Sequence, residues 1–416
     1  MAMFPAEVLL MVFSYLSVQD LLRCQGVSRP WRALAVSDPS LYQYIDLTLA
    51  RKVLTAANIK ALVRYAGGAI KSLKMDSPEH RFSTACYQPP PYPEGHSTFK
   101  THRNMALEPL LRELEEFEMI DVSGPAFGPI MMSLPSFPQR NLRKLLLRSA
   151  LRYEDVATIC TTAPQLEHLS CKLRFVATLQ DTFRFPSLKI LHIGLQGYAP
   201  AAIPLLVAWF PNMEDFALTE YTNVHRSPDQ VNIAWNNLRV MTVGRMVNDG
   251  LSITSNKLTT LDLSRAGNLT TCNIPAQPNL QHLCIRSLPS LPIDPYLTPL
   301  LSSGPTLESL TISSPQFEIR DIEHTLREAI NLKSLNIDNL YYVNDATLQS
   351  LHMHKCLQVL SVNHCTGITG HGIIQLIDKL CVKKGGMLTA ISVQGNESIR
   401  RQTIDWALAI GVKVSI

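Results

Sequence analysis

Most of this chain repeats one six-residue arrangement of apolar and polar positions, apolar-x-x-apolar-x-apolar. It reads LEEFEM from Leu114, LRKLLL from Leu142, LEHLSC from Leu166, LKILHI from Leu188, MEDFAL from Met213 and LRVMTV from Leu238. It continues as LTTLDL from Leu258, LQHLCI from Leu280, LESLTI from Leu307, LKSLNI from Leu332, LQVLSV from Leu357 and LTAISV from Leu388. YQYIDL from Tyr42 and IKSLKM from Ile70 fit as well. The alternation predicts a short strand at each hexad, with apolar side chains inward and the intervening ones on the opposite face. From Leu142 to Leu357 successive starts lie 20 to 27 residues apart. No unit of that length buries its own inner face, so the pattern predicts a stack sharing one continuous core. Between hexads the chain is expected to return on the other side, often as a helix. In Gly372 to Cys381, Ile373, Ile374, Ile377, Leu380 and Cys381 recur near helical spacing. Prolines at 164, 186, 211, 278 and 305 precede several hexads and read as turn residues.

Residues 4 to 48 follow a different pattern. Pro5 suits a first helical turn, Glu7 lies near the positive helix start, and Val8 to Phe13 is apolar throughout. Ser17 with Asp20 predicts a capped helix over Val18 to Cys24. Ser28, Pro30 and the stop at Asp38-Pro39 bound a third, with Trp31 and Leu34 on one face. Three short helices are too few to bury that apolar run among themselves. The segment is either a cap folded onto the following domain or a docking site for another protein.

The rhythm breaks once. The hexads at 70 and 114 start 44 residues apart, and the excess, residues 76–104, carries five prolines and no period. It is expected to be a mobile insertion, either a flap over the strand face or a tolerated surface loop. At the other end VKVSI, 412–416, alternates like a closing strand.

Composition narrows the function classes. Charged residues are 17% and hydrophobic ones 46%, which marks a globular chain with a large core. A net charge of +4 without basic runs gives no reason to expect nucleic acid. The nine scattered cysteines contain no Cys-x-x-Cys pair, and no cofactor motif is present. Reduced thiols and a cytoplasmic or nuclear location are expected, with no membrane span and no signal peptide. No catalytic constellation is found, so a non-catalytic protein is expected. The nearest approach to a metal site, His352, His354 and Cys356 with His364, Cys365 and His371, is expected to hold none, because zinc needs four convergent ligands.

Charge is uneven along the chain. Between Asn141 and His192 eight Lys and Arg face four Asp and Glu, an excess equal to that of the whole chain. Strand alternation places Lys144, Arg148, His168, Lys172 and His192 on the outward face of three consecutive strands. They read either as a solvated basic face or as a stripe for an acidic or phosphorylated segment of a target protein.

Phe4, Pro5, Glu7, Val12, Leu16, Leu21, Val27 and Trp31 resemble the F-box, whose pattern is an apolar-Pro-x-Glu opening followed by spaced apolar positions and a Trp. Phe4 replaces the usual Leu, and Tyr42 stands where many members have Trp. With the hexads, and with LQVLSVNHCTGITGHGIIQLI resembling a cysteine-containing repeat at Cys365, Ile368, Thr369, Gly372, Ile373 and Leu376, the whole chain resembles the F-box/leucine-rich-repeat family. That resemblance implies an α/β fold: a three-helix F-box over 1–48, then a right-handed α/β leucine-rich-repeat solenoid of about 12–14 repeats over 49–416. It implies the substrate-recognition subunit of an SCF-type ubiquitin ligase. Phe4, Pro5, Glu7, Leu9, Val12, Leu16, Leu21, Val27 and Trp31 would meet a Skp-family adaptor, and through it cullin and RING subunits. The repeats would hold an unidentified protein target for ubiquitination and proteasomal degradation. A non-ligase adaptor or a small-ligand receptor is the alternative.

Overall fold

Each hexad becomes a strand because its fourth and sixth residues have nowhere apolar to go except inward, while its first residue is buried just ahead of the strand. The computed structural model describes residues 4–46, 66, 69–76, 114–120, 140–175, 183–197, 202–222, 230–245, 250–264, 266–267, 269–286, 288, 300, 304–313, 319–382 and 387–415. The expected insertion lies outside these residues from 77 to 104. All fourteen hexads carry a strand, and each strand opens at the third hexad residue. The described chain divides into two units, Met1–Arg174 with Phe185–Leu191 and Phe175–Arg184 with His192–Ile416. This division does not fall after residue 48; the three helices share a unit with the first strands.

In the first unit α1 (Ala6–Phe13) begins just after Pro5, which is its N-cap and not part of its first turn, while α2 (Val18–Cys24) and α3 (Arg29–Ser37) keep the expected bounds. Ser17 Oγ accepts from Asp20 N at 3.2 Å, and Ser28 Oγ accepts from Trp31 N at 3.3 Å. The Ser17 hydroxyl and the Arg23 guanidinium both donate to the Asp20 carboxylate and hold its pKa down. After a 3-10 turn at Pro39–Tyr42 the strands β1 (Tyr44–Asp46), β2 (Ser72–Asp76), β3 (Glu116–Ile120), β4 (Lys144–Arg152) and β5 (His168–Phe175) pair in chain order, all parallel. Tyr42 is fully buried at the hand-over from helices to sheet; its hydroxyl donates to Ala35 O at 2.9 Å and accepts from Gln25 Nε2 at 3.2 Å. The aromatic ring in the place of a Trp therefore keeps its polar end satisfied.

The boundary between the units falls within β6 (Ile190–Gly197). In the second unit β7 (Asp215–Thr222) is followed by β8 (Gln230–Ile233), β9 (Val240–Arg245), β10 (Gly250–Ile253), β11 (Thr260–Asp262), β12 (Thr271–Asn273) and β13 (His282–Arg286). Then come β14 (Ser309–Ser313), β15 (Ser334–Asp338), β16 (Val359–Asn363), β17 (Ala390–Ser392) and β18 (Lys413–Ser415). The hexad strands pair in parallel in the order β7-β9-β11-β13-β14-β15-β16-β17-β18. The register is constant: Leu310, Leu335, Leu360 and Ile391 stand side by side, all buried. The closing alternation at the C-terminal end is β18, whose Val414 pairs with Ile391.

Among the described residues the return path departs from the helical expectation over 230–273. There it is made by β8, β10 and β12, a separate three-stranded parallel sheet. The cause is local. QVNI, GLSI and TCN alternate with period two, and Val231, Ile233, Leu251, Ile253 and Cys272 are buried. Further on the return is helical, at Ile319–Glu328, Asp345–Ser350, Gly370–Ile377 and Arg401–Ala409. Several thiols are part of the core. Burial pushes Cys171 and Cys272 up to about 12, so they are packing groups and not nucleophiles.

Leu335 lies at the middle of this buried row with no exposed surface. Leu335→Ala removes three heavy atoms between Leu310 and Leu360 and is expected to lower unfolding free energy by about 2–5 kcal/mol in a denaturant titration. Ser334→Ala, on the opposite face of the same strand, should change it by less than about 0.5 kcal/mol.

Candidate docking surface

Helix α1 carries two apolar stripes. Leu9 and Phe13, one turn apart, are buried, and Phe13 meets Trp31 of α3 edge to face with ring centroids 5.4 Å apart. The other stripe is open to solvent: Val8, Met11 and Val12, continued beyond the helix ends by Phe4 (69% exposed) and Tyr15 (85% exposed). Those five positions recur at helical spacing, so they share one side of the helix. Leu22 and Val27 are exposed as well, Val27 at 64%. The three helices are held by Arg32 Nε donating to Gln25 O at 3.0 Å and by the Tyr42 hydrogen bonds already described. Neighbouring helices therefore do not cover the outer stripe, and burying one such side chain is worth roughly 1.5–3 kcal/mol. A contiguous apolar stripe of this kind on a folded unit is a candidate docking surface.

The residues expected to dock fall into two groups. Phe4, Pro5, Glu7, Val12 and Val27 face solvent, and Leu16 and Trp31 are half-buried. Leu9 and Leu21 do not face outward: both are buried inside the three-helix unit, at 9% and 1% exposure, and their place is to hold the helices together. The pattern could not separate them because α1 is apolar on both sides and, on α2, buried Leu21 adjoins exposed Leu22. Met11 and Tyr15, which the spaced motif skips, belong to the open stripe.

The expected five-residue basic stripe does not form as one row. Lys144 of β4 is opposite His168 of β5, so those two are neighbours. A bulge then shifts the register between Leu146 and Ala150, and Lys172 stands opposite Ala150, not Arg148. Arg148 lies in the bulged segment. On its other side Lys144 is opposite Glu116 of β3, and further along Asp46 is opposite Lys74. His192 belongs to the second unit, where its Nε2 lies 3.3 Å from Asp215 Oδ1. The face therefore carries both signs. Alternation within one strand is visible in sequence; the register shift and the acidic neighbours from distant strands are not.

The histidine and cysteine group around 352–371 is dispersed, and no three His, Cys, Asp or Glu converge among the described residues. His352 Nδ1 lies 2.6 Å from Gln349 O, His364 Nδ1 lies 3.0 Å from Asp338 Oδ1, and Cys365 is buried. His354 is buried at 1% exposure, and that burial pushes its pKa below 6.5; the Ala329 and Leu326 carbonyls only partly offset it. Among the described residues no helix is long and apolar enough to cross a membrane.

Comparison with known proteins agrees with the helical region. A family model described as F-box-like matches residues 3–48. Among solved structures, one similar to this chain is the crystal structure of the Rad7 and Elc1 complex in yeast, at 14% identity and a TM-score of 0.40 over 96% of this chain and 98% of that one.

His354 supplies a pH test. The neutral ring is favoured in the folded state, so the unfolded chain binds the extra proton and stability falls as pH drops below 6.5. Equilibrium unfolding between pH 7.5 and 5.5 is expected to show that loss, and His354→Leu should flatten it. An unchanged slope in that variant would refute the assignment.

Proposed function

We propose that this protein is the substrate-recognition subunit of an SCF-type ubiquitin ligase, docked through its F-box-like domain on a Skp-family adaptor and through that adaptor on cullin and RING subunits. The observation that carries the reading is the outward stripe of Phe4, Val8, Met11, Val12 and Tyr15 on a unit matching an F-box-like model. The remainder reads as a leucine-rich-repeat solenoid. Its support is the constant strand start in every hexad, the parallel pairing in chain order, and the buried Cys365 and Ile368 at the places of the cysteine-containing repeat. In this role the protein makes and breaks no bond. It holds a target close to the ubiquitin donor, and proximity is its contribution. The working location is cytoplasmic or nuclear, and degradation of the target is the outcome.

The target-binding face is proposed on the outward side of the hexad strands. In the first unit the pairs Glu116–Lys144 and Asp46–Lys74 make it mixed in sign, which suits a target segment carrying both charges better than a uniformly acidic one. Lys144 and Lys172 are the cations on that face, and a charge-assisted hydrogen bond from such a group to an acidic one is worth roughly 1.5–3 kcal/mol.

Val12 and Val27 are exposed, so changing them should leave the fold intact. The double variant Val12→Glu, Val27→Glu is expected to lose adaptor capture by more than about tenfold with an unshifted melting temperature. Leu21→Ala, at a buried site, should lower the melting temperature instead. Retained capture by the folded double variant would rule out the docking surface. For the strand face, Lys144→Glu with Lys172→Glu is expected to reduce target recovery in an adaptor-blind background, and raising salt should do the same to the parent chain. Recovery indifferent to both would place the target elsewhere.

A further inference from the structure

On the helical side of the second unit, the helices Gly370–Ile377 and Arg401–Ala409 leave an open cleft of about 480 Å³. That volume lies within the roughly 300–1,000 Å³ of ligand pockets. One part of its lining is apolar, made by Ile374 and the half-buried Trp406. The second unit's other tryptophans, Trp209 and Trp235, are wholly inside the core, whereas Trp406 presents ring surface to the cleft. The polar part is cationic and rich in donors. Arg400 is exposed and makes no ion pair among the described residues, and Ser398, Gln402 and His371 stand around the same space.

His371 is held in one orientation. Gln349 Nε2 donates to Gln375 Oε1 at 2.8 Å, and Gln375 Nε2 then lies 2.6 Å from His371 Nε2. With Gln375 Nε2 donating to Nε2, the His371 ring presents Nδ1–H as its remaining donor. The carboxylate behind the cleft is occupied: Asp345 accepts from Thr369 N at 2.8 Å and Thr369 Oγ1 at 2.6 Å. Among the described residues no Asp or Glu lines the space. The floor also depends on Gly370, where a Cβ would run into the Thr403 side chain. A guanidinium and polar donors beside an indole face, with no acid among the described lining residues, suit an anion that carries an apolar body.

We propose that this cleft binds an organic anion with a flat apolar body: the body stacks on Trp406, and its phosphate or carboxylate is held by Arg400 with His371 and Gln402 as supporting donors. The chemistry is that of an aryl phosphate, present either as a phosphotyrosyl side chain or as a free small molecule. The site is built from residues of the second unit alone, and the inference does not rest on the ligase reading.

The test is calorimetric titration of the full chain with phenyl phosphate, inorganic phosphate, phenol and a phosphotyrosyl peptide, with tryptophan fluorescence as a second signal. Phenyl phosphate is expected to bind saturably, at least about tenfold more tightly than inorganic phosphate or phenol, because each lacks one half of the complement. Arg400→Ala should weaken it about ten- to a hundredfold, and Trp406→Leu about two- to tenfold. Both variants should still capture the adaptor and unfold as the parent does. Tighter binding of the peptide would identify a protein source, and tighter binding of phenyl phosphate a free one. No saturable signal at millimolar phenyl phosphate, equal affinity for inorganic phosphate, or unchanged affinity in a folded Arg400→Ala variant would each overturn the proposal.

Discussion

A strand with one apolar face cannot cover that face itself, and the architecture follows from this constraint. The buried row Leu310, Leu335, Leu360 and Ile391 is continuous only while each hexad enters the sheet at the same residue. A slip of one residue would turn the inward positions outward. Parallel pairing in chain order is the arrangement in which every inner face meets two identical neighbours. Backbone bonds repeat accordingly: Lys333 N to Glu308 O, Gln358 N to Lys333 O and Thr389 N to Gln358 O are each 2.8 Å. With the inner face thus fixed, the outer face is free to vary in chemistry without cost to the stack.

The same logic in reverse explains the N-terminal helices. Helix α1 buries Leu9 and Phe13 and leaves Val8, Met11 and Val12 wet. That state is unfavourable unless the stripe is covered in the working assembly. Trp31 and Phe13 stiffen the inner side and Tyr42 ties α3 to the turn before β1, so the exposed stripe is displayed on a packed scaffold and not on a molten one.

Much of this was legible in the sequence because its signals are local. Ser17, Ser28 and Asp38-Pro39 bounded α2 and α3 through capping chemistry that reads the same in any context. The hexads announced every strand that carries one. What escaped needed partners distant in the chain. QVNI and GLSI are too short for their period to decide between a strand and a turn until they find each other across a sheet. The bulge between Leu146 and Ala150 follows from pairing with β5, and Glu116 meets Lys144 only through β3. Leu9 and Leu21 looked like their exposed neighbours because polarity does not record direction.

Tyr42 lies two residues before β1 opens at Tyr44, and Lys71 N bonds back to Gln43 O at 2.9 Å. The passage from helices to sheet thus has no slack. On the ligase reading, this makes the first strands a short stiff bracket bolted to the adaptor. On that reading, whatever rests against them would be held at a set distance and attitude from the ubiquitin donor. Selection among a target's lysines then becomes a question of reach: those inside a narrow shell are modified, and those outside it are spared, whatever their local sequence.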